Sequence, residues 1–171
     1  MSSRPFAHPL RYFLNSRVSS ALDQILTASE DALSEPAKLV DALMGPKPAI
    51  PTLGVPVNAG KIYSYRSGSN RLQWAVQWPI HGDSKLLKYQ PTQRPLSAPR
   101  AHVVYDASAL IATGYEPLAT IIDDTEKWCN AHLDGLHAEV DELWSEARSY
   151  LIGAAVERRR ALNGLGQEVR A

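Results

Sequence analysis

Residues 117–162, PLATIIDDTEKWCNAHLDGLHAEVDELWSEARSYLIGAAVERRRAL, decide the fold. Apolar side chains recur at Leu118, Ile121, Ile122, Trp128, Cys129, Leu133, Leu136, Val140, Leu143, Trp144, Ala147, Leu151, Ala154 and Ala155. Gaps of three and four keep one stripe on one face at 3.6 residues per turn, so the stretch reads as a long amphipathic helix. Pro117 suits a first turn, where its missing N–H has no partner to lose. Asp123, Asp124 and Glu126 lie early and Arg158, Arg159 and Arg160 late, matching the helix dipole at both ends. Unbroken, the segment spans about 70 Å, too long for a compact domain of this size. Gly135 is the expected break, because glycine costs a helix interior about 1 kcal/mol relative to alanine. A bend there, or a helix that projects, is the expectation.

Immediately upstream lies the material for a sheet. Residues 61–66 and 71–78 are strand-like and flank the turn sequence Ser67-Gly68-Ser69-Asn70. Leu72, Trp74, Val76 and Trp78 alternate with Gln73, Ala75 and Gln77, as in an antiparallel strand with one buried face. The long helix is the natural cover for that face. Residues 86–89 suggest a short strand, and 101–105 with 109–113 a second hairpin turning at Asp106-Ala107-Ser108. Residues 46–60, with four prolines and two glycines, read as an extended connector.

Toward the N-terminus, helical spacing runs from Ser16 to Leu33, and a short helix from Pro36 to Met44 follows Ser34 as its cap and ends at Gly45-Pro46. The expected fold is therefore α+β: an N-terminal helix pair, a small antiparallel sheet of four to five strands, and a long or broken C-terminal helix on or projecting from the sheet. Residues 1–16 read as a flexible arm and 17–163 as one module, with helices over 17–45, strands over 61–113 and the helical segment over 117–163. Residues 164–171 read as a frayed tail.

The 171 residues carry 18 acids and 18 bases, so no net field recruits nucleic acid or membrane. Their distribution is uneven. Nine acids against Lys127 occupy 116–146, and seven bases against Asp83 occupy 61–100. A basic β region lying against an acidic helix explains this without a ligand; a phosphate-binding face is the functional alternative. One cysteine excludes an internal disulfide, and no apolar run has signal-peptide or membrane-span length, so a cytoplasmic protein is expected.

Candidate chemistry is sparse. Gly54 to Lys61 lacks phosphate-loop spacing and has Ile62 where a hydroxyl would hold magnesium. Cys129 and His132 share a helical face, but His137 lies about 140° further round, short of the three convergent ligands zinc needs. His81 and Asp83 have the types of an acid–base pair, yet Gly82 makes the same residues a turn. Trp74 and Trp78, with Tyr63, Tyr65, Lys61, Arg66 and Arg71, have the composition of a single-strand stacking platform, or of a core strand. Arg158–Arg160 suits a phosphate or a partner carboxylate, and equally an ordinary helix end. Leu133, Val140, Ala147 and Ala154 recur every seven residues, as do Cys129, Leu136, Leu143 and Tyr150. That seam serves either a second copy or packing in cis.

The run from Trp74 to Asp83 (WAVQWPIHGD), then 86–91 (LLKYQP), 96–100 (LSAPR) and the helix ending at Glu157-Arg158-Arg159-Arg160, resembles a segment of large uncharacterised bacterial proteins. In that family the resemblance implies an N-terminal module followed by a restriction-endonuclease-like effector domain with a metal-binding acid, glutamate and lysine. No strand-borne Glu-x-Lys occurs here, so no catalytic residue carries over. The implied function is a non-enzymatic interaction, regulatory or sensor module of a bacterial defence or restriction-type system. It has no cofactor, and a protein partner, a separately encoded effector, is expected; a homodimer is the other partner weighed. Candidate interaction residues are Arg158, Arg159, Arg160, Arg71 and Trp74. A nucleic-acid-binding module using the basic β region is the alternative, and a metal-dependent enzyme the third reading.

Overall fold

Alternation along residues 71–81 forms the centre of the sheet. The computed structural model describes residues 3–64, 71–93 and 96–168, with the backbone alone at 63, 64, 71 and 165–168. The turn at 67–70 and the side chains of Tyr65 and Arg66 lie outside the described residues. Strand β4 (Arg71–His81) carries β2 (Thr52–Leu53) and β3 (Val57–Ser64) on one side, and β7 (Ala109–Gly114) then β6 (His102–Tyr105) on the other, all antiparallel. Cross-strand partners share a face. Trp74, Val76 and Trp78 of β4 therefore lie with Gly114, Ala112 and Leu110 of β7, and Val103 and Tyr105 of β6. Val76, Trp78, Leu110 and Ala112 are fully buried, whereas Leu72, at the far end of the same face, is exposed. The hydrophobic pattern thus runs one residue pair past the core.

The cover is α3 (Leu118–Glu168), whose N-terminal half buries Ile121, Trp128, Cys129, Leu133 and Leu136. Two contacts seat it on the sheet. The buried indole of Trp78 donates to Glu126 at 2.9 Å, and a Cβ at Gly114 would stand 3.2 Å from Ile121 Cδ1. Two acids of the helix meet uncharged groups, while Arg66 and Arg94 and the side chain of Arg71, bases on which the expected pairing of acidic helix with basic strands rests, lie outside the described residues. Glu126 accepts from an indole, and Glu139 from the backbone N–H and hydroxyl of Thr92, both 2.6 Å. All three donors are neutral.

The expected break at Gly135 is absent: α3 is continuous over 51 residues. A Cβ at Gly135 would lie 3.0 Å from Pro91 Cγ, so this glycine admits a neighbouring loop rather than ending a helix. Helix also persists through Gly164 to Glu168, where a frayed tail was expected.

Residues 3–16, read as part of a flexible arm, are not loose. Ser3 exchanges two backbone hydrogen bonds of 2.8 Å with Tyr105, β1 (His8–Pro9) pairs in parallel with β5 (Tyr89–Gln90), and α1 begins at Arg11 and ends at Thr27. Buried Phe6, Leu10 and Leu14 supply the apolar surface that makes this ordering favourable. Residues 86–89, expected as a strand, are largely a 3₁₀ turn (Ser84–Lys88) capped by Asp83, with β5 after it. The hairpin at 106–108 forms as read, with one Asp106 oxygen accepting from Ser108 N–H, Ser108 O–H and Ala109 N–H.

The chain divides into two compact units rather than one module: Met1–Leu10 with Ala49–Glu139, and Arg11–Pro48 with Val140–Ala171. Among the described residues the second unit contains helices and no strand. Helix α2 (Pro36–Met44) matches its expected span, with Pro36 in the first turn, although its N-cap is Glu35 and no side chain caps it. Its core joins Ala21, Ile25, Leu33, Val40, Met44, Leu151 and Ala155. Arg148 grips Asp41 through two hydrogen bonds of 2.6 and 3.0 Å, and Lys47 meets Asp141 at 2.7 Å.

Candidate functional site

A cleft of about 570 Å³ in the sheet-containing unit gathers Arg4, Phe6, Gln90, Ser97, Trp128 and His132. Three chain segments build it, and each is placed for a local reason. The N-terminal segment is held by Phe6 N–H to Leu87 O (2.6 Å), Ala7 N–H to Lys88 O (2.8 Å) and Leu10 N–H to Gln90 O (3.1 Å). Between these bonds Phe6 adopts φ +53°, a left-handed conformation that costs a bulky residue of the order of 1–2 kcal/mol. What holds it there is its ring, stacked on His132 at 4.6 Å and edge-on to Trp128 at 5.1 Å.

Helix α3 supplies the aromatic floor. Trp128 and His132 are one turn apart and both buried. His132 Nδ1–H donates to Trp128 O at 2.9 Å, which orients the ring. The third segment is the loop after β5, which brings Leu96, Ser97 and Ala98 to the rim. Its root is fixed to α3 where Pro91 meets Gly135 and Thr92 binds Glu139. Gln90, nine-tenths buried, also lines the cleft, and exposed Arg4 adds a cation at the lip. The arrangement is an aromatic floor beneath a rim that mixes apolar Leu96 and Ala98 with Ser97 and the cation of Arg4, a composition suited to recognition.

No family model, curated protein or solved structure matches this chain.

Among the described residues, His132 is the one sequence-derived site candidate that lines this cleft. Cys129 is fully buried, and burial, followed by the nearby charge of Glu126, pushes its thiol up to about 12. Such a thiol is no nucleophile at neutral pH. His137 is exposed while His132 is buried, so the two do not converge. Among the described residues no group of three or more His, Cys, Asp or Glu is placed to hold a metal ion. Asp83 caps the 3₁₀ turn through Lys85 N–H, and the His81 ring lies against Gly54, whose Cβ would stand 2.9 Å from His81 Nε2.

Trp74 is half-buried, with Lys61 Nζ 5.0 Å from its ring centroid on the paired strand; the Arg71 side chain lies outside the described residues. Arg159 donates to Ser34 O at 3.1 Å, and Arg160 pairs with Glu157 at 2.6 Å, both within the helical unit. Arg158 is half-buried, with its Nε unpartnered. Sequence reasoning missed Arg4, Phe6, Gln90, Ser97 and Trp128 as site residues. The available signal was the apolar content of residues 6–14, which argued against a free arm.

Proposed function

We propose that this chain is a non-enzymatic interaction and regulatory module of a bacterial defence or restriction-type system, and that its cleft receives a segment of a separately encoded effector protein. The observation that carries the reading is the cleft itself: an aromatic floor of Phe6, Trp128 and His132 under a rim carrying Arg4 and Ser97. An extended peptide with an apolar or aromatic anchor and a flanking carboxylate matches that chemistry, the anchor lying on the floor and the carboxylate meeting the guanidinium. The resemblance of residues 74–100 to modules that precede an effector domain supports the choice of partner.

The test is the light-scattering mass of the chain alone and mixed with the protein encoded by the adjacent gene. A 1:1 complex that is lost in Ser97→Trp, which fills the rim, and weakened in Arg4→Glu supports the reading. No complex, or one indifferent to both substitutions, refutes it.

A second reading rests on Lys61 and Trp74. An ammonium beside a half-exposed indole on an edge hairpin suits an unstacked base flanked by phosphate. Single-stranded DNA binding that falls steeply with salt and disappears in Trp74→Ala, with the fold intact, is the result this reading requires.

A further inference from the structure

We infer that the helical unit carries a self-association surface whose occupant is a second copy of this chain. In that unit α1 and α3 lie side by side in the same direction: Arg17 sits at Trp144, and Ser34, beyond the end of α1, at Arg159. Between them runs a groove of about 250 Å³, lined by Leu14 and Val18 of α1 and by Leu143, Ala147 and Tyr150 of α3. Those α3 positions are spaced i, i+4 and i+7, a single helical face. Along the seven-residue seam, Leu136 is fully buried, Leu143 half-buried and Tyr150 57 % exposed. The apolar repeat therefore continues beyond the surface that its own chain covers, which is how a seam between helices looks with one partner absent.

Charge selects the occupant. Arg11, on α1, and Glu146, on α3, stand at opposite walls of this groove, both exposed, and neither is in an ion pair among the described residues. A groove with a cation on one wall and an anion on the other is its own complement under a two-fold axis. Arg11 of each copy then faces Glu146 of the other, while Leu143 and Tyr150 interdigitate across the axis. An all-acidic or all-basic rim would instead have selected a partner of opposite sign.

Sedimentation equilibrium of the full chain over a wide concentration range tests this. The wild type is expected to reach twice the chain mass. Tyr150→Asp, at an exposed position that leaves the monomer fold intact, weakens association at least tenfold, as loss of an aromatic anchor does. Arg11→Glu weakens it by about tenfold through like-charge contact, and Arg11→Glu/Glu146→Arg restores it. A chain that stays monomeric throughout, or a dimer indifferent to Tyr150→Asp, overturns the inference. So does a double swap no better than Arg11→Glu alone, since the dimer would then not pair these two walls. The readout is the mass of the chain by itself, so this test is independent of effector binding in the cleft.

Discussion

Replacing Gly135 with alanine separates two roles that a glycine can have inside a helix. If the residue is only a propensity defect, Gly135→Ala stabilises α3 by about 1 kcal/mol. The structure gives the opposite sign. The new Cβ would stand 3.0 Å from Pro91 Cγ and 3.2 Å from Pro91 Cβ, against an optimal carbon–carbon separation of about 3.5–4.0 Å. Pro91 has little room to yield. Its ring is buried and tied to the backbone, with only a change of pucker to yield by, and the next residue, Thr92, is held to Glu139 by two hydrogen bonds of 2.6 Å. Overpacking of this kind costs about 1–3 kcal/mol. Taking about 2 for the overlap and about 1 for the propensity gain leaves a net destabilisation of roughly 1 kcal/mol.

Gly153 is the internal control. It lies on the same helix, and a Cβ there meets nothing within 4 Å, so Gly153→Ala should stabilise by about 1 kcal/mol. Three of the four tryptophans, Trp74, Trp78 and Trp128, are in the sheet-containing unit, and Trp144 is in the helical one. Indole fluorescence therefore reports chiefly on the first unit, and far-ultraviolet circular dichroism on the helices. For a chain of this size each kcal/mol moves a midpoint by about 2–4 °C. Gly135→Ala should lower the fluorescence midpoint by about that much, and Gly153→Ala should raise the dichroism midpoint equally. If Gly135→Ala also raises its midpoint, the close approach of Pro91 has been misjudged and the glycine is a propensity defect.

Other outcomes follow from buried polar groups. Glu126→Ala leaves the buried Trp78 indole N–H without its acceptor and should cost about 2 kcal/mol; the same change in a Trp78→Phe background should cost less, measured as a double-mutant cycle in urea. Cys129 should resist thiol reagents at pH 8 until the chain unfolds. Because its folded value is raised to about 12, its contribution to stability is complete below the unfolded value of about 8.5 and declines above it, by about 1.4 kcal/mol per pH unit. Cys129→Ala should remove that slope below about pH 10, where buried Tyr105, also shifted upward by burial, begins to add its own. Asp106→Ala removes the acceptor of three hydrogen bonds at the second hairpin and should cost about 1–2 kcal/mol. Those bonds hold the Asp106 carboxyl below the usual range, so its contribution is present at neutral pH and is lost as acid drives the pH down through the folded value.

The loop root at Gly135 and Glu139 also bears on the cleft. Pro91 and Thr92 lead directly into the segment that carries Ser97 to the rim. Under the proposed reading, a substitution that lifts Pro91 from α3 should also alter the cleft that Gln90 and Ser97 line. The proposed effector binding should respond to Gly135→Ala even though Gly135 does not line the cleft.

Local periodicity by itself determined the elements with long, regular patterns. The stripe from Leu118 onward, the alternation around Val76 and Trp78, the span Pro36–Met44 and the turn at Asp106 all appear where the sequence places them. In each, the side-chain period or the turn chemistry acts within a few residues and needs no distant partner. Contacts remote in sequence decided the rest. Position 135 holds glycine inside a helix because Pro91 packs on it, and residues 3–10 are ordered because β5, β6 and the face of α3 offer backbone partners and a surface for Phe6. The cleft joins positions 4–7, 90–98 and 128–132, segments with no shared local signal. The division into two units was equally hidden, since the apolar stripe of α3 reads the same whether a sheet or two helices lie against it. Periodicity tells a helix which face to bury; only the folded chain supplies what that face meets.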